Sequence, residues 1–354
     1  MDWRPFSKYA RYALTMRRER SQPTLHCDEV SQIMRNPYIY TGYRRCYENR
    51  KYYIDSLFQI HNETLNVWTH FVATFVLIYK FAQTAQYVRY FEDPNSLAVF
   101  VFSIGAIQCS ALSALAHLMH SRSEYHHFKY FQIDYAGVNL NGQAIGMIYF
   151  FFCGTENFYR TWGTWFVPYC HVIICLMSVI LKGCAKTFCK HGSKWSALTN
   201  LFCTALSCTW SGLPLWYQVS DVLSRGDMDA FWNDCFLPIT HYILLTSAGF
   251  FYGAKIPECF FPGKFDIVGH AHQIMHVLVT SMSLAQFTTI ADLYPKRSPE
   301  LTALANPTIW NTLVPHLCVL IPSFVFIFVT TQMTKARAKQ QFEIFKEEKK
   351  NKTK

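Results

Sequence analysis

The sequence predicts an all-α, polytopic helical membrane bundle. Three observations predict it. Of 354 residues, 51% are hydrophobic and 17% aromatic against 16% charged. The apolar residues fall in blocks of the roughly 20 residues that a helix needs to cross ~30 Å of hydrocarbon. Basic residues crowd into alternate connections between those blocks, as they do in membrane proteins.

Eight windows qualify: 65–88, 97–119, 130–153, 161–181, 195–219, 232–254, 267–292 and 309–332. Most are nearly free of charge. The third, fifth and eighth are the weakest, because Asp134, Asn139 and Asn141, then Pro214, then Pro315 and Pro322 interrupt them. Helix bundles tolerate such residues where neighbouring helices satisfy the polar groups. Neither internal repeats nor a cleavable leader is evident, so the basic segment 1–55 is expected to stay in the mature chain.

Charge orients the bundle. With a cytosolic N-terminus, 27 of the 33 Lys and Arg residues fall on the cytosolic side and five outside, with Lys80 inside the first window. Both termini are therefore expected in the cytosol. The net charge of +10 then reads as basic flanks meeting anionic lipid, not as a nucleic-acid surface. The 13 Cys are scattered, mostly in apolar windows such as at Cys109, Cys170, Cys175, Cys203, Cys208 and Cys318, and read as small buried hydrophobes. The glycosylation patterns at Asn62-Glu63-Thr64 and Asn351-Lys352-Thr353 lie on the cytosolic side and are expected to be unused.

Histidines carry the functional signal. His272 and His276 are four apart and share a helix face. By itself such a pair reads as a packed polar pair sooner than as a metal site. His117 and Ser113 lie near the end of the second window, and Asp134 near the start of the third. Counting crossings puts both, and the start of the seventh window, on the cytosolic side, so three imidazoles, one carboxylate and one hydroxyl converge at one depth. Ionisable groups there are costly and mark functional pockets. Three imidazoles with an open fourth position form the ligand set of a catalytic Zn2+. Asp134 would accept a hydrogen bond from the group in that position, and Ser113 would help hold it. Zinc lowers the pKa of bound water to about 7, so hydrolysis of an ester or amide is within its chemistry.

The other histidines are read more plainly. His120, His126 and His127 are expected to be solvated in a short loop, with His120 an alternative ligand one turn from His117. His270 points away from His272, and His171, His241 and His316 are expected to make polar contacts within the bundle.

Four motifs in order, from Phe58-Gln-Ile-His61-Asn62-Glu63-Thr64-Leu65-Asn66-Val67-Trp68-Thr69-His70 through Ser113 to His117 and Asp134-Tyr135-Ala-Gly137 to Pro262-Gly263-Lys264-Phe265-Asp266 and His272-Gln-Ile-Met-His276, resemble the signature of the progestin and adipoQ receptor family. Asn62 to Asn66, Ala116-His117-Leu118 and Gly269-His270-Ala271-His272 are more similar to its membrane progestin receptor branch than to the adiponectin receptors. The resemblance implies a seven-helix adiponectin-receptor-like core plus an eighth helix. It also implies zinc near the cytosolic face on His117, His272 and His276, with Asp134 and Ser113 beside it. The chain then divides into a cytosolic segment 1–55, a zinc-binding core 56–292, an extracellular loop and eighth helix 293–334, and a basic cytosolic tail 335–354. One departure counts against adiponectin binding: Arg122 occupies the position where the adiponectin-receptor pattern has a histidine.

Three functions follow as expectations. The resemblance implies a plasma-membrane steroid receptor, progestin-like in its ligand, signalling rapidly through heterotrimeric G proteins. The alternatives are a ceramidase-like zinc hydrolase of sphingolipid-like amides, and a non-catalytic regulator of membrane lipid composition in which metal only ties helices together. Glu63 is read as an acidic group at a helix start, favouring the positive end of the dipole, rather than as part of the metal site. Ser211-Gly212 and Gly249 are candidates for close helix packing.

Overall fold

A computed structural model describes residues 23–189 and 193–352. Residues 1–22 of the basic segment 1–55, the connection at 190–192 and the end of the Asn351 glycosylation pattern lie outside the described residues. Every predicted window corresponds to helix: α1 (Thr64–Thr84), α2 (Ser96–Met119), α3 (Glu124–Cys153), α4 (Phe166–Phe188), α5 (Lys194–Ser211), α6 (Phe236–Ala254), α7 (Ala271–Leu304) and α8 (Leu313–Lys352). Among the described residues there is no strand, only an isolated bridge between Leu25 and Tyr43.

The differences from the predicted windows have local causes. Ser123 caps α3, accepting from the His126 N–H, so that helix starts six residues early. The fifth window breaks at Gly212, and a second helix, Leu213–Ser224, carries Pro214 in its first turn, where its missing N–H costs nothing. Helix α7 continues past Asp292 through Pro295 and Pro299 to Leu304, so the connection expected from residue 293 is helical at its start. The tail is a continuation of α8 as far as Lys352.

Six of the eight helices are long and apolar enough to cross a membrane among the described residues; α3 and α5 fall short. The α3 shortfall follows from its position. It packs against α2, α4, α5, α7 and α8, so its polar residues face protein rather than lipid. Ser178 donates to Asn139 at 2.6 Å, Gln132 donates to Thr187 at 3.0 Å and accepts from Thr330 at 2.7 Å, and His316 meets Gln143 at 2.8 Å. Its apolar half, including Phe150, Phe151 and Phe152, anchors the main core with Phe102, Phe287 and Ile290.

Close packing of α2 on α3 depends on Gly105, where an added Cβ would lie 2.5 Å from the Ala144 Cβ. Gly212 is similarly tight against the Tyr242 hydroxyl, whereas Gly249, expected to pack closely, faces open space. Gly105→Ala should destabilise the bundle by ~1–3 kcal/mol through overpacking, while Gly249→Ala, inside α6 and facing open space, should stabilise it slightly, by up to ~1 kcal/mol. Thermal unfolding of both variants in nanodiscs measures the difference.

Candidate metal centre

The last turn of α2 and the first two turns of α7 meet at one end of the bundle. His117 comes from α2, and His272 and His276 from α7. One nitrogen from each imidazole lies within 4.8 Å of those of the other two. The Nε2 atoms of His117 and His272 are 3.1 Å apart. Ser113 is buried one turn before His117, and Asp134 lies beside Ser113 with its carboxylate in electrostatic reach of His117. All five predicted residues therefore come together.

Two of the imidazoles are held by their far nitrogens. His117 Nδ1 donates to Glu63 Oε2 at 2.8 Å. The Thr69 hydroxyl spends its proton on the Leu65 carbonyl at 2.7 Å, so it accepts from His276 Nδ1 at 3.0 Å. Both assignments leave Nε2 as a bare lone pair. For His117 that lone pair faces His272 at 3.1 Å, a repulsive arrangement unless a proton or a cation lies between them. Two nitrogen ligands of a tetrahedral zinc, each 2.0–2.1 Å from the ion, stand about 3.3 Å apart. The donors present fit Zn2+: His117, His272 and His276 would hold it, and Glu63 and Thr69 would orient His117 and His276.

This corrects the reading of Glu63. It occupies the cap position of α1 but makes no side-chain cap bond. Its Oε2 also accepts from Asn66 Nδ2 at 2.7 Å, and its Oε1 from Asn36 Nδ2 at 3.4 Å. The turn itself is closed by Thr64, whose hydroxyl accepts from the His61 N–H at 2.8 Å. Burial pushes the His61 imidazole down to about 2, with the Arg44 guanidinium a smaller cause, so it stays neutral. Its Nδ1 accordingly accepts from the Glu63 N–H at 3.1 Å.

The loop expectation for His120 and His127 also fails, because residues 25–47 fold over this end. His120 is 5% exposed and sits 3.6 Å from Glu63 Oε1; with Arg44, Tyr43 and Ser121 it lines a cavity of about 10 Å³, the size of one water. His127 is buried with its Nε2 3.2 Å from Lys186 Nζ. His126, half-buried, meets the Ser123 hydroxyl at 2.7 Å.

The covering segment grips the ends of both ligand-bearing helices. Arg44 donates to the carbonyls of His117 and Leu118, each at 2.7 Å, capping α2. Asp266, in the approach to α7, accepts from the Tyr40 and Thr41 N–H groups at 3.0 and 2.7 Å. Glu258 takes the Ala271 N–H at 2.7 Å, which fixes the first turn of α7. His270 Nε2 turns away to the Asn62 carbonyl at 3.3 Å. His241 bridges Tyr149 and Thr289 at 2.7 and 3.1 Å, and His171 meets Ser207 at 3.1 Å, the bundle packing expected of them.

Fold and site together define a polytopic helical membrane protein with a histidine cluster buried at one end. The chain belongs to the haemolysin-III related family, whose model matches residues 58–287, more than half its length. It is similar to membrane progestin receptor alpha-B of Danio rerio, 29% identical over 79% of this chain and 80% of that one. Membrane progestin receptor beta of Mus musculus is 29% identical over 77% of each chain. The beta receptor of Homo sapiens is 29% identical over 87% of this chain and 84% of its own. The resemblance read from the motifs to the progestin receptor branch is borne out.

Removing the Glu63 carboxylate should loosen metal without touching a ligand. Glu63→Ala should weaken Zn2+ binding ~10–100-fold, and Glu63→Gln, which keeps an acceptor oxygen, should weaken it less. Competition against a chelator of known affinity gives both values.

Proposed function

We propose that this protein is a plasma-membrane receptor for a progestin-like steroid, signalling rapidly through heterotrimeric G proteins, with Zn2+ held by His117, His272 and His276. The carrying observation is the convergence of three imidazoles from α2 and α7, two of them oriented by Glu63 and Thr69. The names of the relatives supply the ligand class. The topology proposed is cytosolic at both termini, which puts the histidine end at the cytosolic face, with segment 1–55 and tail 335–354 against anionic lipid. In this reading the metal ties α2 to α7, and a ligand that shifts either helix is felt at the covering segment through Arg44 and Asp266.

One observation favours a second reading, hydrolysis of a lipid amide such as a ceramide. Asp134 and Ser113 lie beside His117 without serving as its ligand partners. A zinc ion supplies Lewis acidity toward a carbonyl. Asp134 Oδ would then accept a proton from the water that attacks the amide carbonyl and return it to the nitrogen as the C–N bond breaks, releasing acid and amine, with Ser113 orienting that carboxylate.

Measurements on one purified sample separate the two. His272→Ala should lose both zinc and [3H]progesterone binding. Asp134→Asn should keep one zinc per chain and keep progesterone affinity within about threefold, the change expected when no ligand contact is lost. Ceramide turnover in the wild type that vanishes in Asp134→Asn would make the hydrolase reading primary. Wild-type protein that holds zinc but binds no progestin would overturn the receptor.

A further inference from the structure

Among the described residues, His70 is a buried group next to the site that the trio and its partners leave unused. His70 follows Thr69 on α1, is 4% exposed, and its ring centroid lies 3.9 Å from that of His276. Neither of its ring nitrogens has a hydrogen-bond partner among the described residues. A neutral imidazole always carries one N–H, and a buried donor left unpaired is costly and calls for a partner.

A second unpartnered group sits on α7. Thr280 is one turn beyond His276 on the same face of α7, and its hydroxyl is likewise buried and unpartnered. Helices α1 and α7 pack against each other. His276 thus has an unspent imidazole against its ring on α1 and an unspent hydroxyl one turn further along α7.

We propose that His70 is the hydrogen-bond donor of a ligand subsite beside the histidine cluster, taking a carbonyl oxygen, with the Thr280 hydroxyl as a second contact. An uncharged oxygen suits this position better than a carboxylate or phosphate. Two cations lie near the cluster: the Arg44 guanidinium is spent on the carbonyls of His117 and Leu118 and on Ser56, and the Lys255 ammonium, on the His272 side, lies over the Tyr252 ring at 3.8 Å. A steroid ketone and a lipid amide both offer such an oxygen. The subsite rests on the functional reading above in requiring a carbonyl-bearing ligand, but not on which of the two it is.

The test uses full-length protein in nanodiscs and two probes, [3H]progesterone and a non-hydrolysable ceramide analogue, with zinc content measured on every sample. His70→Phe keeps ring volume and removes the N–H; His70→Gln restores a donor. The expected result is about tenfold weaker binding of one probe in His70→Phe, substantial recovery in His70→Gln, and one zinc per chain throughout. The weakened probe identifies the ligand's source. A progesterone analogue lacking the 3-keto oxygen should bind wild type and His70→Phe alike if that oxygen is the one held, which remains measurable even if the variant is less stable. Equal affinity of wild type and His70→Phe for both probes would overturn the subsite alone. Zinc lost from His70→Phe would make His70 a metal ligand and overturn the proposal. Wild-type protein binding neither probe would overturn the functional reading and the subsite together.

Discussion

The contact between the Glu63 carboxylate and the His117 imidazole is the constraint around which this end of the molecule is organised. A carboxylate that is 4% exposed survives burial only when its oxygens are satisfied. Glu63 meets that requirement with groups from three places: His117 at the end of α2, Asn66 in the first turn of α1, and Asn36 in the covering segment. The ion-like contact thus fixes how far α1 slides along α2. The Thr69 to His276 bond, one to two turns deeper, fixes α1 against α7 by the same means. Two side-chain contacts on one helix therefore set the relative heights of the two helices that carry the imidazoles.

The rest of the bundle lets that polar end exist. Helix α3 runs through the middle with a polar face at the histidine end and aromatic residues at the other. Its amides are matched by Ser178, Thr187, Thr330 and His316 from α4 and α8, so that the cost of burying them is largely offset. At the opposite end, Phe102, Phe150 to Phe152 and Phe287 pack without polar atoms to satisfy. Gly105 allows α2 to approach α3 closely enough for Ser113 and Asp134 to be neighbours.

Much of this was legible in the sequence, for physical reasons that also explain the misses. Apolar runs long enough to span a bilayer must be helical, which is why all eight windows correspond to helix. Counting crossings brought His117, His272, His276, Asp134 and Ser113 to one end, and they do meet there. The same counting applies to Glu63 at the start of α1, but Asn62-Glu63-Thr64 also reads as a helix start, and the local pattern prevailed over a partner 54 residues away. His120 reads as a solvated loop residue because nothing in its own neighbourhood announces the covering segment; Arg44 and Tyr43 reach it from more than 70 residues upstream. Helix α3 looked weak because hydropathy measures compatibility with lipid, and α3 is surrounded by protein. The role of Thr69 had no signal beyond its place in the motif.

The central claim is a zinc ion held by three imidazoles. Zinc K-edge X-ray absorption of the purified protein tests it most directly. The account predicts one zinc per chain, with three imidazole nitrogens at about 2.0–2.1 Å and a light fourth neighbour. Sulfur scattering at about 2.3 Å, from any of the 13 cysteines, or protein that binds no zinc, would contradict it.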